Sequence, residues 1–170
     1  MGKKLMSDIK IENIIEAYIE SYHRCLDSVA RERKHLAFVE APTLESTRRF
    51  ILSNISKNVP QLIAIRGDDV VGWCDILPNG LEGFKHCGRL GMGVLKDFRR
   101  QGIGLKLSEQ TMNIAKQIGL ERIELDVLAS NVPAINLYEK LRFQVEGVKK
   151  NARKLDGKFD DLIEMALFIE

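Results

Sequence analysis

Around its midpoint the chain reads Phe98-Arg99-Arg100-Gln101-Gly102-Ile103-Gly104-Leu105, two close glycines where a strand-like run gives way to a helical one. A helix entered in this way leaves the N–H groups of its first turn unpaired. With the helix dipole behind them, they form a site for an anionic phosphate. Glycine lets such a ligand approach the backbone and accepts turns that other residues resist. Three nucleotide chemistries compete for the loop. A P-loop needs Lys-Ser or Lys-Thr directly after its last glycine, whereas Gly104 is followed by Leu105-Lys106-Leu107. A dinucleotide turn needs a third glycine three residues after the second, and that position is Leu107. Gly91-Met92-Gly93 fails the same test at Lys96. The pyrophosphate of coenzyme A is the remaining option. Taken alone, the loop reads equally well as a tight strand-to-helix turn.

The elements that would position this loop follow from periodicity. From residue 12 to about residue 32, Ile15, Tyr18, Ile19, Tyr22, Leu26 and Val29 recur at helical steps and predict an amphipathic helix. Thr43 is placed to cap a second helix with Phe50, Ile51 and Ile55 on its apolar face, stopped by Pro60. Gln61–Arg66 and residues 70–77 are β-branched runs joined by Gly67-Asp68-Asp69, a hairpin pattern. Residues 89–95 form a strand leading into the glycine loop. The helix after the loop carries Leu105, Leu107, Met112, Ala115 and Ile118 on one side and ends at Gly119. Arg122–Leu128 alternates Ile123, Leu125 and Val127 against Glu124 and Asp126, a half-buried strand. Asn131 opens a short helix to Lys140, with Pro133 tolerated in its first turn. Residues 143–150 and 159–169 are two last strands around Asp156-Gly157. The expected order is αα-ββ-β-α-β-α-ββ: an α/β (α+β) fold, one mixed sheet with helices packed on it, in a single domain spanning residues 1–170.

Composition excludes several classes. The 170 residues hold 26 basic and 24 acidic side chains, a balance unlike that of a dedicated nucleic-acid binder. Lys149, Lys150, Arg153 and Lys154 read as an anion-facing cluster or as a solvated turn. No apolar run reaches the roughly 20 residues needed to cross a bilayer. Lys3 and Lys4 have no apolar stretch behind them, so no secretory signal is expected. Cys25, Cys74 and Cys87 lack CxxC spacing, and His23, His35 and His86 lack metal-ligand spacing. Reduced thiols, a cytoplasmic location and no metal are expected.

Arg99-Arg100-Gln101-Gly102-Ile103-Gly104 resembles the Arg/Gln-x-x-Gly-x-Gly/Ala motif of the GCN5-related N-acetyltransferases. Downstream, the stretch from Ser130 to Phe143 is similar to that family's Asn-x-x-Ala-x-x-x-Tyr-x-x-x-Gly-Phe segment, with Asn131, Ala134 and Tyr138 in register. Met92-Gly93-Val94 stands where the family has its cofactor-facing strand. The likeness is clear from residue 89 to residue 143. Two departures are Arg142, where the family has glycine, and Lys96, where many members have proline.

The resemblance implies an acyl-CoA N-acyltransferase fold: a mixed, mostly antiparallel sheet flanked by helices, with its fourth and fifth strands splayed. Acetyl-CoA, the cosubstrate, would lay its pantetheine arm along Met92, Gly93 and Val94. Its pyrophosphate would rest on the loop of Arg99, Arg100, Gln101, Gly102, Ile103, Gly104 and Leu105. Lys106 and Lys140 are candidates for its 3′-phosphate, or plain surface lysines. Asn131 would bond the pantetheine arm or simply cap its helix. Tyr138 stands where the family has its general acid; a phenol keeps its proton at neutral pH yet can supply it to a developing thiolate. The other reading is a core tyrosine at helical spacing from Ala134 and Leu141. Asp126 occupies the place where ribosomal-protein alanine N-acetyltransferases have a glutamate base. It is shorter by one methylene and reads also as a solvated carboxylate; Glu124 and Asp75 are further carboxylates. Val145-Glu146-Gly147 and the run from Asp156 to Asp161 are similar to polyamine and ribosomal-protein acetyltransferases. Residues 22–40, 84–87 and 151–159 would choose the acceptor, a small amine or a protein N-terminus. Glu40, Asp160 and Asp161 are placed to attract it or to face solvent. The expected activity is direct acetyl transfer to that amine, the alternative a non-catalytic acyl-CoA-binding module. No nucleic-acid or membrane partner is expected, and homodimers are common in the family.

Overall fold

Alternation of side chains builds the sheet. In Arg122–Leu128, Ile123, Leu125 and Val127 are buried while Asp126 is exposed, and each such burial contributes roughly 1.5–3 kcal/mol. The computed structural model describes residues 8–169; Lys3 and Lys4 lie outside them. The elements are β1 (Ile9–Asn13), α1 (Ile19–Arg31), α2 (Leu44–Ser56), β2 (Gln61–Arg66), β3 (Asp69–Pro78), β4 (Cys87–Val94), α3 (Ile103–Gln117), β5 (Arg122–Leu128), α4 (Val132–Lys140), β6 (Gln144–Leu155) and β7 (Lys158–Phe168). The sheet has seven strands in the order β1-β2-β3-β4-β5-β7-β6. Its neighbours are antiparallel except β4 and β5, which run parallel. That pair is registered only at Cys87↔Arg122, Gly88↔Ile123 and Arg89↔Glu124. Beyond Arg89 the two strands part, and a wedge opens between the rest of β4 and the rest of β5.

Helices cover both faces. Ile103, Leu107 and Ala115 of α3 and Tyr138 of α4 share one apolar cluster with Leu90, Val94, Ile123, Leu125 and Val127. Ile19, Tyr22, Cys25 and Val29 of α1 and Ile51 of α2 share another with Ile63, Ile65, Val70 and Trp73. The wedge therefore has an α3–α4 side and an α1–α2 side.

The expected turns and caps are present. Gly67 turns the β2–β3 hairpin at φ +59° and Gly119 ends α3 at φ +89°. The Thr43 and Asn131 side chains accept from Ser46 N–H and Ala134 N–H. Three expectations need correction. Residues 9–13 form an edge strand on β2, so the first helix begins at Ile19 and not near Glu12. The buried face of α2 is Thr47, Ile51 and Asn54, with Phe50 and Ile55 more than a third exposed. Ile118 lies past the end of α3 and is also exposed.

Candidate functional site

The glycine loop is left-handed twice, at Arg100 (φ +59°) and Gly102 (φ +80°). Gly102 is the N-cap of α3, and its carbonyl accepts from Lys106 N–H at 3.1 Å. Ile103, Gly104 and Leu105 thus have N–H groups with no acceptor inside the helix. Gly104 is small for a packing reason as well: a Cβ there would meet Met92 Cε at 3.0 Å and Leu137 Cδ2 at 3.4 Å. Helix, strand and α4 converge at that point, and the unpaired amides sit at the edge of the wedge. These residues fit a pyrophosphate. Arg100 holds a conformation costing a side chain about 1–2 kcal/mol. The Arg99 guanidinium turns away from the loop. Its Nε donates to Val94 O at 2.8 Å, and its terminal nitrogens bind Glu32 at the end of α1, beside His35. Those bonds hold the Glu32 carboxyl below its usual range.

Met92 and Val94 face α3, where Ser108 donates to Met92 Sδ at 3.5 Å. Gly93 and Gly91 face α1. A Cβ on Gly93 would fall inside the Trp73 indole, which is itself edge-on to Tyr22 at 5.8 Å. A Cβ on Gly91 would stand 3.3 Å from Asp75 Oδ1. Tyr138 lies under the sheet in the α3–α4 cluster, 7% exposed and edge-on to Phe143. Burial pushes its phenol well above the ordinary value, with the Cys74 thiol a lesser cause. Tyr138 is thus a core residue that keeps its proton. Arg142 takes φ +71°, the left-handed position that the family fills with glycine.

On the α1–α2 face past Arg89, carboxylates and cations alternate. Asp126 accepts from Arg89 Nη1 at 2.8 Å, Glu124 is bound by Arg122 at 2.8 Å, and Glu164 by Lys149 at 2.6 Å. Asp126 is thus at the wedge but occupied by a guanidinium. The basic run is engaged too: Lys150 binds Asp161, Arg153 binds Arg33 O, and Lys154 lies over Phe159. Asp160 is bound by Ser130, and Arg33 grips Asp156 at the β6–β7 turn. Asp75 differs from all of these. It is 6% exposed, and burial alone pushes its carboxyl up to about 7.

A raised carboxyl favours the fold while protonated, and that contribution is lost as pH rises towards its folded value. Wild-type stability should therefore fall relative to Asp75→Asn between about pH 4 and pH 7, then stay lower by on the order of a few kcal/mol. Thermal melts of both proteins at pH 4.5 and pH 8 check this; equal gaps at the two pH values would contradict it.

Residues 16–143 match the profile of the Acetyltransferase (GNAT) family. The chain belongs to that family. Among relatives of this GNAT protein, the L-amino acid N-acetyltransferase AaaT of Escherichia coli (strain K12) is 29% identical over 109 residues, 64% of this chain and 67% of that one. The [ribosomal protein bS18]-alanine N-acetyltransferase of the same organism is 37% identical over 71 residues, 42% of this chain and 48% of that one. The second match thus spans about half of that relative's length. A GNAT superfamily phosphinothricin acetyltransferase of Sinorhizobium meliloti, solved with acetyl-CoA, superposes with a TM-score of 0.88 at 13% identity, covering 95% of this chain and 89% of that one. The splayed mixed sheet expected from the sequence is the fold of this GNAT chain, and acetyl-CoA is the family's cosubstrate. Sequence reasoning did not find the Arg89–Asp126 pair or the engagement of Arg99. Nor did it find the isolation of Asp75, although a carboxylate inside the apolar run Val70-Val71-Gly72-Trp73-Cys74-Asp75-Ile76-Leu77 was a visible signal.

Proposed function

We propose that this protein transfers acetyl from acetyl-CoA to a primary amine, a small molecule or a protein N-terminus, in the cytoplasm. The observation that carries the reading is the wedge beyond Arg89, with the unpaired amides of α3 at its edge and Tyr138 buried beneath it. When bound, acetyl-CoA supplies an activated thioester. The backbone of Met92, Gly93 and Val94 would pair with the pantetheine arm, joined by Asn131. The amides of the loop from Arg100 to Leu105 would hold the pyrophosphate, with Arg99 bracing that loop against α1 and not touching the ligand. Lys106 on α3 and Lys140 on α4 would be the candidates for the 3′-phosphate. Tyr138 Oη holds the proton that the leaving sulfur needs. Asp126, paired with Arg89, lies on the face from which the amine arrives.

Residues 1–170 act as one domain in this reading. The near balance of charge supports the absence of a nucleic-acid partner, and no described helix is long and apolar enough to cross a membrane. A homodimer is part of the proposal only through the family resemblance.

The test is thiol release from acetyl-CoA across amino acids, peptides with free N-termini and polyamines. Release with at least one acceptor is expected. Binding of acetyl-CoA without thiol release from any acceptor would turn the reading into the non-catalytic acyl-CoA-binding module.

A further inference from the structure

Three residues form one row across the sheet on the α1–α2 face: Gln61 on β2, Asp75 on β3 and Gly91 on β4, joined by the registers Gln61↔Asp75 and Asp75↔Gly91. The next row is Ile63, Trp73 and Gly93. Trp73 fills the space over Gly93, whereas Asp75 extends over Gly91. Gly91 lies two residues beyond Arg89, where β4 and β5 last pair, and directly before the segment assigned to the pantetheine arm. The Asp75 carboxyl is therefore set above the β4 backbone at the mouth of the wedge, on the face opposite Tyr138.

The groups around it are few and neutral. From α1 it faces Tyr22, whose phenol burial pushes well up, with Asp75 itself the next cause. Cys25 lies behind Tyr22, its thiol pushed up to about 12 by burial. Cys74, next along β3, points to the other face and is raised to about 12 for the same reason. From β2 comes Gln61, whose Oε1 accepts from Asn54 at 2.9 Å while its side-chain amide lies beside the Tyr22 phenol. Among the described residues no cation acts on Asp75 itself, Arg99 reaching only as far as Cys25, whereas Asp126, Glu124 and Glu164 each hold one.

We infer that Asp75 is the proton acceptor for the attacking amine, the role that the family resemblance offered to Asp126. The inference rests on the acetyltransfer reading and deepens it. One ammonium proton passes to an Asp75 oxygen and on to water, which leaves a nitrogen lone pair free. That pair forms the C–N bond to the acyl carbon as the C–S bond breaks and its electrons go to sulfur. The second nitrogen proton, lost as the amide forms, leaves by the same route through Asp75 to water, and Tyr138, having delivered its proton to sulfur, regains one from solvent. A carboxyl pushed up to about 7 by burial can accept and release a proton near neutral pH. The Asp126 carboxylate is already bonded to the Arg89 guanidinium, with which an arriving ammonium would have to compete.

The experiment compares wild type, Asp75→Asn and Asp126→Asn with two acceptors: an alkyl primary amine, protonated at neutral pH, and an acyl hydrazide, already neutral. With the hydrazide any rising limb of kcat/KM belongs to the enzyme and not to the acceptor. Wild type should show a shallow limb of about threefold near pH 7, because a neutral acceptor asks of the base only the proton lost as the amide forms. Asp126→Asn should keep that limb and Asp75→Asn should lose it. Asp75→Asn should lower kcat/KM at least about tenfold for the alkyl amine and only about threefold for the hydrazide. Calorimetric titration should find its acetyl-CoA affinity unchanged, which also reports a folded protein. An Asp75→Asn protein with the wild-type limb and rates overturns the assignment of Asp75 alone. A limb lost in Asp126→Asn and kept in Asp75→Asn returns the role to Asp126. A wild type that binds acetyl-CoA but releases no thiol with any acceptor overturns the acetyltransfer reading and this inference with it.

Discussion

Gly102→Val should weaken acetyl-CoA binding at least about a hundredfold, equivalent to about 2.7 kcal/mol. The loss follows from backbone strain in two steps. Gly102 sits at φ +80°, where a side chain costs about 1–2 kcal/mol and a β-branched one more. Valine will relieve that strain by moving the loop, because Gly102 is the hinge between Arg100 and the first turn of α3. The move then misplaces the N–H groups of Ile103, Gly104 and Leu105. A hydrogen bond to a charged group contributes about 1.5–3 kcal/mol, so losing two of them already exceeds the expected change. Gly119→Val is the control. Gly119 has a similar φ of +89° and open space around it, at the opposite end of α3. It should lose stability comparably and keep its affinity. Calorimetric titration and thermal melts of both variants separate strain from recognition; unaltered binding in Gly102→Val would count against the cradle.

The contrast between these glycines shows where sequence reading succeeds. Both follow from local rules, a strand-to-helix turn and a helix C-cap, and both are where the spacing puts them. The β2–β3 hairpin, the alternation of β5 and the Asn131 cap are legible for the same reason: each is decided within about ten residues. Strand β1 is not. Only Ile9 and Ile11 mark it, both half-buried, while Ile14, Ile15, Tyr18 and Ile19 beyond it fit a helical step. The burying face of α2 fails similarly, because Asn54 is turned inward by Gln61 on β2, a partner outside the helix. The site divides along the same line. Residues that offer backbone or sit on one element, Met92–Val94, Arg99–Leu105, Asn131 and Tyr138, were nominated by motif. Charge partnerships were not: Arg89 and Asp126 are 37 positions apart, Arg99 and Glu32 67 apart. Which carboxylate is free depends on those pairings, so Asp126 and Asp75 could not be ranked from the sequence.

Tyr138→Phe should lower turnover about ten- to a hundredfold while acetyl-CoA affinity stays within about a factor of two. Phenylalanine keeps the ring, its place in the α3–α4 cluster and its edge-on contact with Phe143. Burial and the Cys74 thiol are the influences on the phenol, so no structural hydrogen bond depends on its hydroxyl. The thermal midpoint should therefore barely move, and a loss of rate will belong to the proton. The loss should also depend on the leaving group. A donor whose thiol is more acidic than that of coenzyme A departs without protonation, and with it the gap between wild type and variant should narrow. A gap that is the same for both donors would make Tyr138 a packing residue, and a fully active Phe variant would remove it from the chemistry. If the gap narrows while the hydrazide limb still follows Asp75, the two proton transfers occur on opposite faces of one sheet. That separation explains why β4 and β5 must part between them: the acyl group has to be reached by Tyr138 from the α3–α4 side and by the amine from the α1–α2 side.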